Sequence, residues 1–203
     1  MLYLARHGQD EDNANGILNG RRDAPLTNVG IEQAKILAQA IKNLDLTIDR
    51  IYSSPLQRTY KTAVIIADIL GLTKPKSLNL LIERDFGVMT GKPVKSIKTL
   101  CFPDIIRSNT ATYFLAVEGS ETFPELINRA RQLLKWLNSN NVDENTLLVS
   151  HGDIGKMIYA AFYNLDWKDV LTKFHFGNSE LILFSKNSKL KERHIYKAHQ
   201  HNC

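Results

Sequence analysis

Within its first eight residues the chain sets a guanidinium beside an imidazole, Arg6-His7-Gly8, directly after the apolar run Leu2-Tyr3-Leu4-Ala5. The pattern returns late, where Thr146-Leu147-Leu148-Val149-Ser150 runs into His151-Gly152. Imidazole both exchanges protons and attacks electrophiles near neutral pH. A lone histidine at a strand end is more often structural, but two at equivalent exits, one beside an arginine, point to a shared pocket. Ser53-Ser54, with Arg58 one helical turn on, adds a third polar strand end. Two fixed cations, two imidazoles and the N–H groups of helix N-termini suit a phosphate dianion, because arginine binds it bidentately and the helix dipole favours negative charge. With a histidine nucleophile in the same place, a phosphoryl group can be transferred as well as held.

Such residues need strands that end together. The sequence predicts strands near residues 1–6, 48–53, 76–80, 146–150, 181–185 and 193–198. Between them apolar residues recur at helical spacing. From Val29 to Asn43 these are Ala34, Leu37, Ala38 and Ile41, with Thr27 as N-cap. From Pro55 to Gly71 they are Leu56, Tyr60, Ala63, Val64 and Ala67, with Ser54 as cap, Pro55 in the first turn and Gly71 as terminator. Thr122 and Glu125 form a capping box ahead of Leu126, Ile127, Ala130, Leu133, Leu134 and Leu137, and a further helix over Met157 to Phe162 follows Gly152.

Strands alternating with helices predict an α/β fold, a three-layer α/β/α sandwich with a mostly parallel central sheet. Ligands of such sheets bind beyond the carboxyl ends of the strands, where the histidines stand. Residues 88–121, interrupted by Pro93, Pro103 and Gly119, break the rhythm and read as a small lid insertion in a single domain spanning 1–203.

Composition narrows the partners. The 203 residues are 43% hydrophobic, ordinary for one globular domain. A net charge of +5 is spread singly and in pairs (Arg21-Arg22, Lys74, Lys76, Lys186, Lys189, Lys191), with no basic stripe interleaved with aromatics. Small anionic substrates are expected, and nucleic acid is not. Cys101 and Cys203 make neither a disulfide framework nor a metal-ligand spacing, so a reducing cytoplasm is the expected location. No segment reads as a leader or a membrane span. His175 and His194 read as structural or exposed, and His199-Gln200-His201 as a disordered end.

The landmarks taken in order resemble a known family. They are Arg6-His7-Gly8 with Asn13; Asp23 with Pro25-Leu26-Thr27 and Gly30; and Tyr52-Ser53-Ser54-Pro55-Leu56 with Arg58, Thr62 and Ala63. Leu81, Glu83, Asp85-Phe86-Gly87 and Gly91 follow, then Val149-Ser150-His151-Gly152 and Asn178-Ser179. In this order and spacing they resemble the histidine phosphatase superfamily, the phosphoglycerate mutase-like proteins. The resemblance implies that His7 is the nucleophile and becomes a phosphohistidine, that Arg6, Arg58 and His151 bind the phosphoryl oxygens, and that Glu83 is the proton donor. It also implies phosphate contacts from Asn13 and the Gly152 N–H. Elementary electrostatics agrees, since neighbouring guanidiniums oppose protonation of His7, and a carboxyl group beside a dianion holds its proton more tightly. Neither metal nor cofactor is expected, because arginine supplies the positive charge.

Departures from the family pattern fall on the substrate side. Gln9-Asp10 stands where Glu-Thr is common, Asn19-Gly20 where Gln-Gly is, and Met89-Thr90 where Trp-Glu is. Gln9, Asp10, Asn19, Gly20 and Arg21 are therefore candidate substrate-side residues, and Asp10 repels a phosphate unless it points away. The expected activity is a metal-independent phosphatase acting on a small phosphorylated metabolite. The alternatives are a cofactor-dependent phosphoglycerate mutase and a non-catalytic phospho-ligand-binding domain. The chain is expected to be a monomer or a homodimer.

Overall fold

Each strand of the central sheet sends successive side chains to opposite faces, as the pleat requires. Leu4, Tyr52, Leu148 and Ile182 enter one apolar cluster, while Tyr3, Ala5, Ile51, Leu147, Val149 and Leu181 enter the other. Both faces are thus apolar and both are covered, which is why these strands read as continuous apolar runs.

The computed structural model describes residues 1–140, 144–185 and 194–197. In chain order the elements are β1 (Leu2–Arg6), α1 (Glu11–Ala14), α2 (Asn28–Asn43), β2 (Arg50–Ser53), α3 (Gln57–Leu70), β3 (Lys76–Ser77), α4 (Ile97–Leu100), β4 (Ile105–Arg107) and β5 (Thr112–Phe114). They continue with α5 (Phe123–Asn140), β6 (Thr146–Ser150), α6 (Gly152–Tyr163), α7 (Trp167–Lys173), β7 (Leu181–Phe184) and β8 (His194–Tyr196). The main sheet runs β3-β2-β6-β1-β7-β8. Its first four strands are parallel, and β7 and β8 are antiparallel additions. Helices α2 and α3 cover one face, and α5, α6 and α7 the other. This is the α/β sandwich with a mostly parallel sheet that the alternation of elements predicts.

Local chemistry sets most of the boundaries. The Thr27 side chain accepts from the Gly30 N–H at the start of α2. Gly71 ends α3 in the left-handed conformation at φ 69°, which glycine adopts without steric penalty. Thr122 and Glu125 close their reciprocal capping box before α5.

Several elements differ from expectation. Ser54 does not cap α3; the helix starts at Gln57, whose N–H donates to Asp23 Oδ1 at 2.7 Å from a distant part of the chain. The strand expected over 76–80 stops at Ser77, because Leu81 is drawn into the core and a tight turn over Asn79–Leu81 follows. Helix α7, capped by Asp166, is too short for its periodicity to stand out in sequence. Residues 88–121 hold α4 and a two-stranded antiparallel pair, β4 with β5. The tail His199-Gln200-His201, Cys203, Lys186, Lys189, Lys191 and the ends of the last expected strand lie outside the described residues. No helix among the described residues is long and apolar enough to cross a membrane.

Candidate active site

The register of the parallel strands brings the two histidines together. Arg6 at the end of β1 lies opposite Ser150 at the end of β6, so His7 and His151 leave the sheet side by side. Their ring centroids are 5.1 Å apart. On the other side of β6, Ser53 of β2 pairs with Val149, and the next residue, Ser54, places its Oγ 2.8 Å from His151 Nε2. Arg58 enters from the first turn of α3 and is wholly buried. Arg6, His7, Arg58 and His151 thus meet beyond the carboxyl ends of three adjacent parallel strands.

Hydrogen bonds fix the chemistry of His7. Its Nδ1 lies 2.6 Å from the Gly8 carbonyl oxygen, which can only accept, so Nδ1 carries the proton and Nε2 keeps its lone pair. Burial, then Arg58 and Arg6, hold the His7 pKa well below the ordinary histidine value. His151 is lowered in the same way, by burial first and then by Arg58, His7 and Arg6. Both imidazoles are therefore neutral at physiological pH.

Around them Arg6 Nε, Arg58 Nε and His151 Nδ1 are buried and make no hydrogen bond among the described residues. Buried polar atoms are ordinarily satisfied, so such a cluster of nitrogens fits an oxyanion. Arg58 Nη1 and Nη2 donate to the Arg22 and Gly20 carbonyls, and its Nε stands 3.4 Å from Asp10 Oδ2, within ion-pair distance but without hydrogen-bond geometry. Arg6 is anchored by Nη1 on the Phe176 carbonyl.

Glu83 reaches the same place from the turn after β3. Its Oε1 accepts from the N–H groups of Arg84 and Ile154, and its Oε2 from that of Asp153, at the N-terminus of α6. Burial, reinforced by the Asp153 charge, raises its pKa above the ordinary carboxylate value against the opposing pull of those N–H groups. Asn13 joins through Asn178, whose Nδ2 donates to both Asn13 Oδ1 and the His7 carbonyl. Gly152 opens α6 next to the Arg6 guanidinium.

Of the five candidate substrate-side residues, only Asn19 lines the cleft. Its amide donates to Asp10 Oδ2. Asp10 is fully buried, caps α1 through the Asn13 N–H, and lies 3.7 Å from His7 Nδ1 and beside Arg58. It points into the frame under the site. The Gln9 side chain accepts from the Thr27 hydroxyl, and the Gly20 carbonyl holds Arg58. Arg21 bridges Asp85 and Glu121 and donates from Nε to the Glu83 carbonyl. These residues brace the cluster from behind.

The cleft in front has a volume of about 690 Å³. Arg6, Asn13, Glu83 and Gly152 line it, together with Tyr113, an aromatic residue of the 88–121 segment that the sequence offers as a lid, and with Asp153 and Lys156, which the sequence did not single out. Their pairing is long-range: Tyr113 comes from β5 and Lys156 from α6. The local signal was slight, a lysine one turn after His151-Gly152. Beneath them Arg84 is buried between the Phe86, Phe114 and Phe123 rings and donates to Asp153 Oδ2 at 2.8 Å. His175 is half exposed, on the cleft rim 3.9 Å from Glu180.

The model of the histidine phosphatase superfamily (branch 1) matches residues 2–192. Phosphoserine phosphatase 1 of Hydrogenobacter thermophilus is 32% identical over 173 residues, 85% of this chain and 79% of that protein. A Yersinia pestis protein named "Probable phosphoglycerate mutase GpmB" is 35% identical over 152 residues, 75% of this chain and 69% of its own. Among solved structures, the phosphoserine phosphatase of Entamoeba histolytica in complex with 3-phosphoglyceric acid superposes with a TM-score of 0.75 at 27% identity, covering 95% of this chain and 92% of that one.

Proposed function

The chain belongs to the histidine phosphatase superfamily, branch 1, and from that premise we propose that it is a metal-independent phosphomonoesterase working through a phosphohistidine on His7. The observation that carries this reading is the His7 tautomer, with Nδ1–H on the Gly8 carbonyl and Nε2 unprotonated among two arginines and a second imidazole. The phosphoryl group docks on Arg6, Arg58, His151, Asn13 and the Gly152 N–H. His7 Nε2 attacks phosphorus, and the P–N bond forms as the P–O ester bond breaks. Glu83 gives its proton to the leaving alkoxide. In the second half, water attacks phosphorus as the P–N bond breaks and returns its electron pair to His7 Nε2, Glu83 takes the proton from that water, and inorganic phosphate leaves. The arginines' fixed charge faces the phosphoryl oxygens in both transition states, the role a metal ion plays in other phosphotransferases.

The named relatives act on small phosphorylated acids, and the same class is the substrate proposed here. Residues 88–121 serve as the lid, because they bring Tyr113 and Phe114 to the cleft wall and the Arg84 cage.

The mutase reading uses the same core and is kept because of the Yersinia relative. Phosphate release from a panel of phosphomonoesters in chelator separates the readings, with 3-phosphoglycerate assayed with and without its bisphosphate cofactor. Release that vanishes in His7→Ala supports the phosphatase. Isomerisation without release establishes the mutase, and binding without either reaction leaves a phospho-ligand-binding domain.

A further inference from the structure

Lys156 sits one turn along α6 from Gly152, on the order of 6 Å up the helix axis. It is 5% exposed and still lines the cleft. Burying an ammonium is costly unless it is paired, yet its partner among the described residues is a neutral phenol, Tyr113, to whose oxygen Nζ donates. Nζ also lies 4.9 Å from the centre of the Tyr113 ring. An ammonium has three donors, and this one makes a single hydrogen bond among the described residues. Burial dominates its surroundings and pushes its pKa down to about 8; Asp153, Glu180 and Glu83 act to hold the proton and Arg6 acts against it. At neutral pH it remains a cation with hydrogen-bonding capacity left over.

We propose that Lys156, held by Tyr113, is the subsite for a carboxylate on the substrate, so that the cleft selects phosphomonoesters of small hydroxy acids. This rests on the phosphomonoesterase reading, in which the phosphoryl end occupies the cluster at the start of the same helix. A carboxylate fits better than a second phosphate, because Asp153 on the same wall repels a dianion more than a monoanion, and one ammonium with one phenol balances a single negative charge. A neutral sugar hydroxyl brings no charge to an ammonium whose hydrogen-bond partner is itself neutral. Tyr113 belongs to the 88–121 segment, so that segment contributes to selectivity as well as to cover.

Binding by titration calorimetry to a His7→Ala protein decides the matter without turnover. Two ligand pairs differ in the carboxylate: 3-phosphoglycerate against glycerol 3-phosphate, and O-phosphoserine against O-phosphoethanolamine. The carboxylate member of each pair is expected to bind roughly 10–100-fold more tightly. Adding Lys156→Met should bring that ratio near one, and Lys156→Arg should restore part of it. If Lys156→Met does not fold, Tyr113→Phe takes its place and should lower the ratio. A ratio near one with Lys156 present, or one that survives its replacement, overturns the proposal. Failure of the natural protein to hydrolyse any ester, p-nitrophenyl phosphate included, sinks the phosphomonoesterase reading instead and leaves the binding ratio to judge the subsite.

Discussion

At the scale of single residues the site separates two titrating groups by environment. Burial and the neighbouring guanidiniums hold the His7 pKa down, while burial and Asp153 push that of Glu83 up, so the pH range in which the proposed nucleophile is free and the proposed acid keeps its proton is wider than for the two groups in water. The pH profile of kcat/KM should be bell-shaped, with its acid limb well below the ordinary histidine pKa and its alkaline limb above the ordinary carboxylate pKa. Glu83→Gln removes the proposed proton source. Against an alkyl phosphate it should lower kcat by about 10²–10⁴, and the alkaline limb should disappear. With p-nitrophenyl phosphate, whose leaving group needs no proton, the first step should survive better. A burst of nitrophenol followed by slow turnover is expected, because the variant also lacks the base for hydrolysis. Equal losses on both esters would remove Glu83 from the acid role.

Among elements, the site depends on how closely the loop after β1 approaches the start of α2. A Cβ on Gly8 would overlap the Gly30 carbonyl, and a Cβ on Gly30 would overlap the Gln9 carbonyl. Both obstacles are backbone and cannot swing aside. Gly30→Ala should therefore destabilise the fold by about 1–3 kcal/mol and displace His7 with it, read as a lower urea midpoint together with reduced kcat. Asp10→Asn tests the frame beneath the same loop. It leaves the buried Arg58 without its nearest carboxylate, and losing one partner of a buried pair costs about 3–5 kcal/mol. Here the limits of sequence reading are physical. Arg6, His7 and His151 were legible because a strand and its exit are local patterns. The signal at Ser54 was ambiguous, because a serine before a helix serves equally as a cap or as a side-chain partner, and only the β2–β6 register turns it toward His151. Asp23 capping α3, Asp10 beneath Arg58 and Tyr113 on Lys156 join residues far apart in the chain, so neither periodicity nor motif announces them.

Over the whole molecule, two apolar clusters flank a sheet whose carboxyl end gathers buried ionisable groups, His7, Asp10, Arg58, Glu83, Arg84, His151 and Lys156 among them. Such a site is held in place by the rest of the fold, and its cost appears in the response to pH. His7 and His151 have folded pKa values well below the unfolded value of about 6.5, so below that pH the unfolded chain binds more protons. Their contribution to stability is complete above that value and is lost progressively as pH falls from it toward the folded pKa values. The slope approaches about 2.7 kcal/mol per pH unit when both titrate only in the unfolded chain. Glu83 acts with the opposite sign: its raised folded pKa stabilises the protein as pH falls from that value toward the ordinary carboxylate range. The contribution of the two histidines is isolated by comparing the natural protein with a His7→Asn/His151→Asn double variant. Urea midpoints taken from pH 7 to pH 5 should fall steeply for the former and more gently for the latter. Parallel curves would mean that the two imidazoles already share protons in the folded state, and the tautomer on which the nucleophile depends would have to be abandoned.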